Sequence, residues 1–180
     1  MRAVLDACVL YPTVLREILL GVAARGLYEP LWSDRILREW TRATAKLGPE
    51  AVAIAEGEAL VVRSAFPRAT VREQPNIEAR LTLPDANDIH VLAVAIAGHA
   101  DAIVTFNAQD FPRALLADEG IERRDPDGFL WELWSGNPAA VAEVVARVHA
   151  TAERLSGAEI PLKKLLKRAQ LPKLAKALAG

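Results

Sequence analysis

One cysteine, Cys8, and three histidines, His90, His99 and His149, are spread through 180 residues. A lone thiol cannot close an internal disulfide, which predicts a reducing, cytoplasmic setting. The histidines are too scattered to form a metal-spaced pair. A glycine-rich phosphate loop and a GxSxG elbow are also missing. No stretch is long and charge-free enough to span a bilayer. Asp6 and Glu17 interrupt the N-terminal segment, so it does not read as a signal peptide. Aromatic residues make up only 6% of the chain, and Trp32, Trp40, Trp131 and Trp134 read as packing anchors. Cys8 has no identifiable base nearby and reads as a small buried hydrophobe.

Acid is missing locally. Residues 161–180 hold six of the 22 Lys/Arg and none of the 23 Asp/Glu, so that end carries +6 and residues 1–160 carry −7. A basic end on an acidic body suits an anionic partner, either nucleic acid or the protein's own acidic face. A solvated amphipathic helix with lysines on its wet side explains it equally well. With 52% apolar residues, the chain is globular and long enough for one domain, with or without an appendage.

Arg2–Leu5 reads as a short buried strand. Pro12 opens a helix whose Val14, Leu15, Ile18, Leu19 and Val22 form an apolar face, and Arg25-Gly26 closes it. Tyr28–Trp32 is a second strand. Ser33 then caps a helix in which Ile36, Leu37, Trp40, Ala43 and Leu47 recur at helical spacing. Gly48-Pro49 ends it and starts another helix running to Arg63. Pro67 and Pro75 leave residues 64–82 irregular, with room for one short strand or helical turn. From Asp85 to Gly98 a helix is apolar on nearly every side and therefore buried, His90 included as a core histidine. Ala102–Thr105 is a third strand, and Ile121–Arg123 an edge strand. After Asp125-Pro126 the pattern is helical only: 128–134, 139–155, and 161–179 broken near Pro172. Strands alternating with helices predict a parallel sheet covered by helices. Ligands bind such sheets beyond the carboxyl ends of the strands.

Acids collect at those ends. Asp6 follows the first strand directly, either as a metal-binding carboxylate at the sheet rim or as a helix cap. Asp85 and Asp88 share a face of one helix start, where an acidic capping box is equally available; one acid can cap while the other holds a metal. Glu39 lies about 60° off the centre of its helix's buried stripe, at the border of a cleft or in a salt bridge with Arg35 or Arg42. Asn107 and Asp110 follow the third strand, with Asp110 also placed to cap the helix that Pro112 would start. Clustered carboxylates without nearby His or Cys are hard oxygen ligands, suited to Mg²⁺ or Mn²⁺. Such ions lower the pKa of water and neutralise charge building on a phosphodiester.

Taken together, Leu5-Asp6 ending strand one, the helix from Ser33 to Glu39, Asp88-x-x-x-x-Ala-x-Ala, and Thr105-x-Asn107-x-x-Asp110-Phe111 resemble the PIN domain. The nearest likeness is to bacterial PIN proteins of the VapC-like toxin type. The resemblance covers residues 1–130. It implies a PIN-like α/β/α sandwich with a central parallel sheet and a C-terminal helical extension, divided as 1–130 nuclease domain and 131–180 extension. It further implies a Mg²⁺- or Mn²⁺-dependent endoribonuclease, the toxin of a toxin–antitoxin pair. Its partners would be substrate RNA, a cognate antitoxin protein and a second copy of the chain. By motif, Asp6, Glu39 and Asp88 would be the core catalytic acids and Asp110 the fourth. Asp6, Asp88 and Asp85 would hold metal, with Thr105 and Asn107 beside the substrate. Asn107 stands where many relatives carry Asp. That departure keeps open a non-catalytic RNA- or protein-binding module with a decayed site. A phosphatase with its nucleophile on strand one fits less well, because Cys8 stands where its second Asp would be.

Overall fold

A computed structural model describes residues 1–180. Four parallel strands form one sheet: β1 (Arg2–Leu5), β2 (Glu29–Leu31), β3 (Ala102–Val104) and β4 (Glu122–Arg124), in the order β2-β1-β3-β4. β1 lies at the centre because Ala3, Val4 and Leu5 are apolar and fully buried. Val4 sits opposite Leu31 on one side and Ile103 on the other, and Leu5 opposite Val104. Strands buried on both faces read as unbroken apolar runs, as β1 and β3 do. β4, Glu-Arg-Arg, is the half-exposed edge, where charge discourages pairing with another chain. The ladder runs one residue past β1 and β3: Asp6 N donates to Val104 O at 3.1 Å, and Thr105 N to Arg124 O at 3.0 Å. Asp6 and Thr105 are thereby fixed side by side at the carboxyl rim.

Around the sheet lie α1 (Ala7–Leu10), α3 (Asp34–Ala43), α4 (Pro49–Ala65), α5 (Pro75–Glu78), α6 (Ile89–Ala97) and α7 (Arg113–Ala117), with α2 (Thr13–Ala24) between α1 and β2 in sequence. α6 packs on β1 and β3, and its buried run His90–Ala95 is the apolar helix expected from its pattern. The fold is an α/β/α sandwich with a central parallel sheet and C-terminal helices. Ser33 caps α3, its Oγ accepting the amide of Ile36 at 3.1 Å.

Several element boundaries differ from expectation. α1 is a single turn, too short for periodicity to show. Pro12 is the N-cap of α2 and not its first residue. The helix expected from Asp85 begins as a 3-10 turn, Ala86–Asp88, and becomes α-helical only at Ile89. In the irregular stretch 64–82, Val71 N donates to Trp32 O at 2.8 Å and Trp32 N to Ala69 O at 3.0 Å, covering the open side of β2. Trp32 and Trp40 are buried as expected, but Trp131 is 43% exposed.

By internal packing the chain forms two compact units, one of residues 1–11 and 28–124, the other of residues 12–27 and 125–180. The second contains α2, α8 (Pro126–Gly136), α9 (Pro138–Ser156), α10 (Leu162–Arg168) and α11 (Pro172–Ala179). Here α2 packs against α9, with Arg25 paired to Glu143 at 2.6 Å. Both carboxylate oxygens of Asp127 accept amides at the start of α11, from Lys173 at 2.8 Å and Leu174 at 3.0 Å. Gly21 permits the close approach of α2 to α9: a Cβ there would fall 2.6 Å from Val144 Cγ1. Gly21→Ala is therefore expected to destabilise the protein by about 1–3 kcal/mol through overpacking. Helix propensity alone would make Ala the stabilising choice, by up to about 1 kcal/mol. Denaturant unfolding decides between them, and a raised midpoint would contradict the contact.

Candidate metal centre

Carboxylate oxygens of Asp85, Asp88 and Asp110 all lie within 4.8 Å of one another, and each residue is half-buried. Local sequence arranges them. Asp85 sits in extended backbone and its Oδ1 accepts the amide of Asn87 at 2.9 Å, capping the 3-10 turn. Asp88 falls where that turn meets α6 and makes no side-chain cap bond. The acidic capping box is thus only half formed, because the three-residue turn puts Asp88 at the N-cap of α6 instead of three residues inside a helix. Asp85 does the capping, which leaves the Asp88 carboxylate available to a ligand.

Asp110 does not cap α7, where Pro112 stands at the N-cap without a side-chain bond. Its Oδ2 instead accepts Asn107 Nδ2 at 2.6 Å. The same amide approaches Asp88 Oδ2 at a long 3.4 Å. A carboxamide therefore stands between two carboxylates, where another carboxylate would add repulsion. Thr105 Oγ1 accepts the Asn107 amide at 2.9 Å and donates to Asp6 Oδ2 at 2.8 Å. A hydrogen-bonded line thus runs from Asp6 through Thr105 and Asn107 to Asp110.

Asp6 is 6% exposed and its Oδ1 accepts Ala7 N at 2.8 Å, so both its oxygens are engaged. It caps α1 and also faces the site, combining its two expected roles. Neither Asp6 nor Glu39 belongs to the close set of three acids. Both nonetheless act on that set through their charge. Asp88 is pushed up to about 6, by burial first and then by the charges of Asp6, Asp85, Asp110 and Glu39. Burial also raises Asp6, against the hydrogen bonds from Thr105, Cys8 and Ala7 and with help from the Glu39 charge. No Lys or Arg pairs with Asp6, Asp85, Asp88 or Asp110. Carboxylates this close are costly together unless a cation joins them, and an all-oxygen donor set fits a hard divalent ion.

Glu39 makes the i,i+4 pair with Arg35, at 3.6 Å, and not the one with Arg42. The same oxygen, Oε1, lies 2.7 Å from His90 Nε2. That contact is at ion-pair distance but poorly aligned, and neither ring nitrogen of the buried His90 completes a hydrogen bond. His90 is thus a core residue, as expected, with its ring turned on a site acid, which was not. The thiol of Cys8 lies 3.4 Å from Asp6 Oδ2 and from Thr105 Oγ1. Burial, followed by the Asp6 charge, pushes it up to about 12, so it is no nucleophile at neutral pH. Arg123 was not foreseen. From β4 its Nη1 donates to Ala108 O at 2.8 Å and Phe111 O at 3.1 Å, bracing the loop that carries Asn107 and Asp110. In the sequence it reads only as a charge on an edge strand.

The model of the PIN domain family matches residues 2–109, more than half of the chain. This chain belongs to the PIN domain family. The matched stretch includes Asp6, Glu39, Asp85, Asp88, Thr105 and Asn107, and stops one residue before Asp110. No match to a curated protein or to a solved structure is found. PIN domains are generally metal-dependent nucleases, and the three-acid cluster of this PIN domain has the donors to hold a divalent ion. No helix is long and apolar enough to cross a membrane.

Proposed function

We propose that the protein is a Mg²⁺- or Mn²⁺-dependent endoribonuclease that acts in the cytoplasm as the toxin of a toxin–antitoxin pair. The observation that supports this most directly is the uncompensated carboxylate cluster at the carboxyl rim of a parallel sheet in a PIN domain. Asp88 would be the central metal ligand, with Asp85 and Asp110 beside it. Asp6 supplies the strongest of the neighbouring charges acting on Asp88. A divalent ion held there would lower the pKa of water and offset charge building on the phosphodiester. Glu39, whose Oε1 faces Arg35 and the ring of His90, would ligate or orient the attacking water. Thr105 and Asn107, hydrogen-bonded to Asp6, Asp88 and Asp110, would lie beside the substrate. On this reading residues 1–130 carry the chemistry and residues 131–180 are accessory.

Exposed apolar side chains support a protein partner, an antitoxin or a second copy of the chain. Ile54, Leu60 and Val61 on α4 are each more than 60% exposed, and such groups mark contact surfaces. One experiment tests the catalytic reading. RNA cleavage should require Mg²⁺ or Mn²⁺, cease on chelation, and fall by about 10²-fold or more in Asp6→Asn. Equal cleavage by that variant would sink the assignment. Asn107, an amide among the acids, favours the second reading, a binding module with a decayed site. That reading predicts RNA affinity without cleavage under any divalent ion.

A further inference from the structure

The two C-terminal helices turn their charges outward and bury most of their large apolar side chains. Leu165, Leu166, Leu171, Leu174 and Ala175 are buried, while Lys163, Lys164, Lys167, Arg168, Lys173 and Lys176 are exposed. Elsewhere several surface cations are paired, as in Arg2–Glu29, Arg38–Glu73, Arg63–Asp34 and Arg80–Glu119, and the unpaired ones do not share a segment that lacks acid altogether. None of these six has an acidic partner, and residues 161–180 contain no acid to offer one. On α10, Lys163 with Lys167 and Lys164 with Arg168 form two like-charge i,i+4 pairs, an arrangement that destabilises an isolated helix. Pro161, Lys163, Lys164, Lys167 and Arg168 line one open groove of about 580 Å³.

We propose that this groove grips the phosphate backbone of the RNA, as a sequence-independent anchor separate from the carboxylate cluster. The identity of the polyanion rests on the ribonuclease reading above; the anionic character of the ligand rests on the groove itself. Four unpaired cations along one open, shallow face of α10 match a chain of phosphates, and an anion there relieves both like-charge pairs. A lipid surface fits less well. Membrane-binding amphipathic helices present their apolar side to the bilayer, whereas here that side is buried within the protein. An anion at the start of α11 is also excluded, because Asp127 already occupies those amides.

The test is the salt dependence of affinity for a labelled single-stranded RNA, measured on the full chain in chelator so that no cutting occurs. Each phosphate contact contributes roughly 0.7 to the slope of log K against log salt. The variant Lys163→Gln, Lys164→Gln, Lys167→Gln, Arg168→Gln should lose about 2–3 of that slope. The charge-keeping variant Lys163→Arg, Lys164→Arg, Lys167→Arg should retain it and guards against misfolding as the cause. An unchanged slope in the neutral variant overturns the proposal, as does a wild-type slope shallower than about 1. Loss of binding to phosphatidylserine vesicles with no change on RNA also overturns it and assigns the groove to lipid. Metal-dependent cleavage, assayed separately on wild type, keeps the two claims apart. An active nuclease with an unchanged slope loses only the anchor. An inactive protein whose slope falls in the neutral variant loses only the nuclease reading.

Discussion

Asp88→Asn is expected to abolish metal-dependent RNA cleavage and, at neutral pH, to raise the melting temperature of the metal-free protein. The two effects share one cause. Asp88 lies among carboxylates that no basic residue offsets, and its own group is pushed up to about 6 by burial and by Asp6, Asp85, Asp110 and Glu39. Its folded-state value therefore lies above the unfolded value of 3.8. For a raised acid, the favourable contribution is full below the unfolded value and is lost as pH rises through the folded one. At neutral pH the ionised Asp88 works against folding unless a cation is bound. Asparagine has nearly the same shape and removes the charge. Because Asp88 is half exposed, the Coulomb part is discounted for screening, leaving a rise of about 2–4 °C. Cleavage should fall by about 10²-fold or more, several kcal/mol of transition-state stabilisation being lost with the ligand. Thermal melts in chelator and single-turnover cleavage measure both. A lowered melting temperature would show that the cluster is not under charge strain, and undiminished cleavage would show that it is not the centre.

Stabilisation by Mn²⁺ should be large at neutral pH and disappear as pH falls below about 6. A ligand at a hundredfold its Kd stabilises the folded state by about 2.7 kcal/mol, or roughly 5–10 °C for a chain of this size. Metal binding requires the carboxylate form, so it must displace the proton that Asp88 acquires near pH 6. Below that pH the apparent affinity should weaken by about tenfold per unit for this one group, and more steeply where Asp6, also raised, takes up its proton. Melting curves with and without Mn²⁺ across pH 5 to 8 read the effect directly. The metal-free protein should show the opposite trend from this cluster, gaining stability as pH falls. A metal-induced shift independent of pH would place the ion away from Asp88.

Much of the fold was legible locally. Arg2–Leu5 and Ala102–Val104 are apolar enough to be central parallel strands, and Ser33 and Gly48-Pro49 mark helix boundaries through capping and ring geometry. α1 and α5 are single turns, too short for a period. The 3-10 start of α6 leaves no mark in an apolar pattern, yet it is the detail that separates the capping Asp85 from Asp88. At the site, the acidic residue types and their spacing were visible, and the exchange of roles was not. Asp110 could have capped a helix, but Pro112 holds that position. Glu39 could have paired with either of two arginines, and it takes Arg35 and the ring of His90.

Residue types and their order along the chain already imply a parallel sheet, acids at the ends of its strands, and a terminal segment with no negative charge. These follow from short-range physics, the apolar period, the turn residues and the count of charges. Which acids meet depends on contacts between distant parts of the chain. Asp110 joins Asp85 and Asp88 from a separate segment, Asp6 reaches Asp88 only through its charge, and β1 and β3 are neighbours only through hydrogen bonds between residues about a hundred positions apart. Arg123, bracing the loop of Asp110 from β4, is invisible to any local pattern for the same reason. Long-range pairing sets distances, and distances set which charges repel and which can hold an ion.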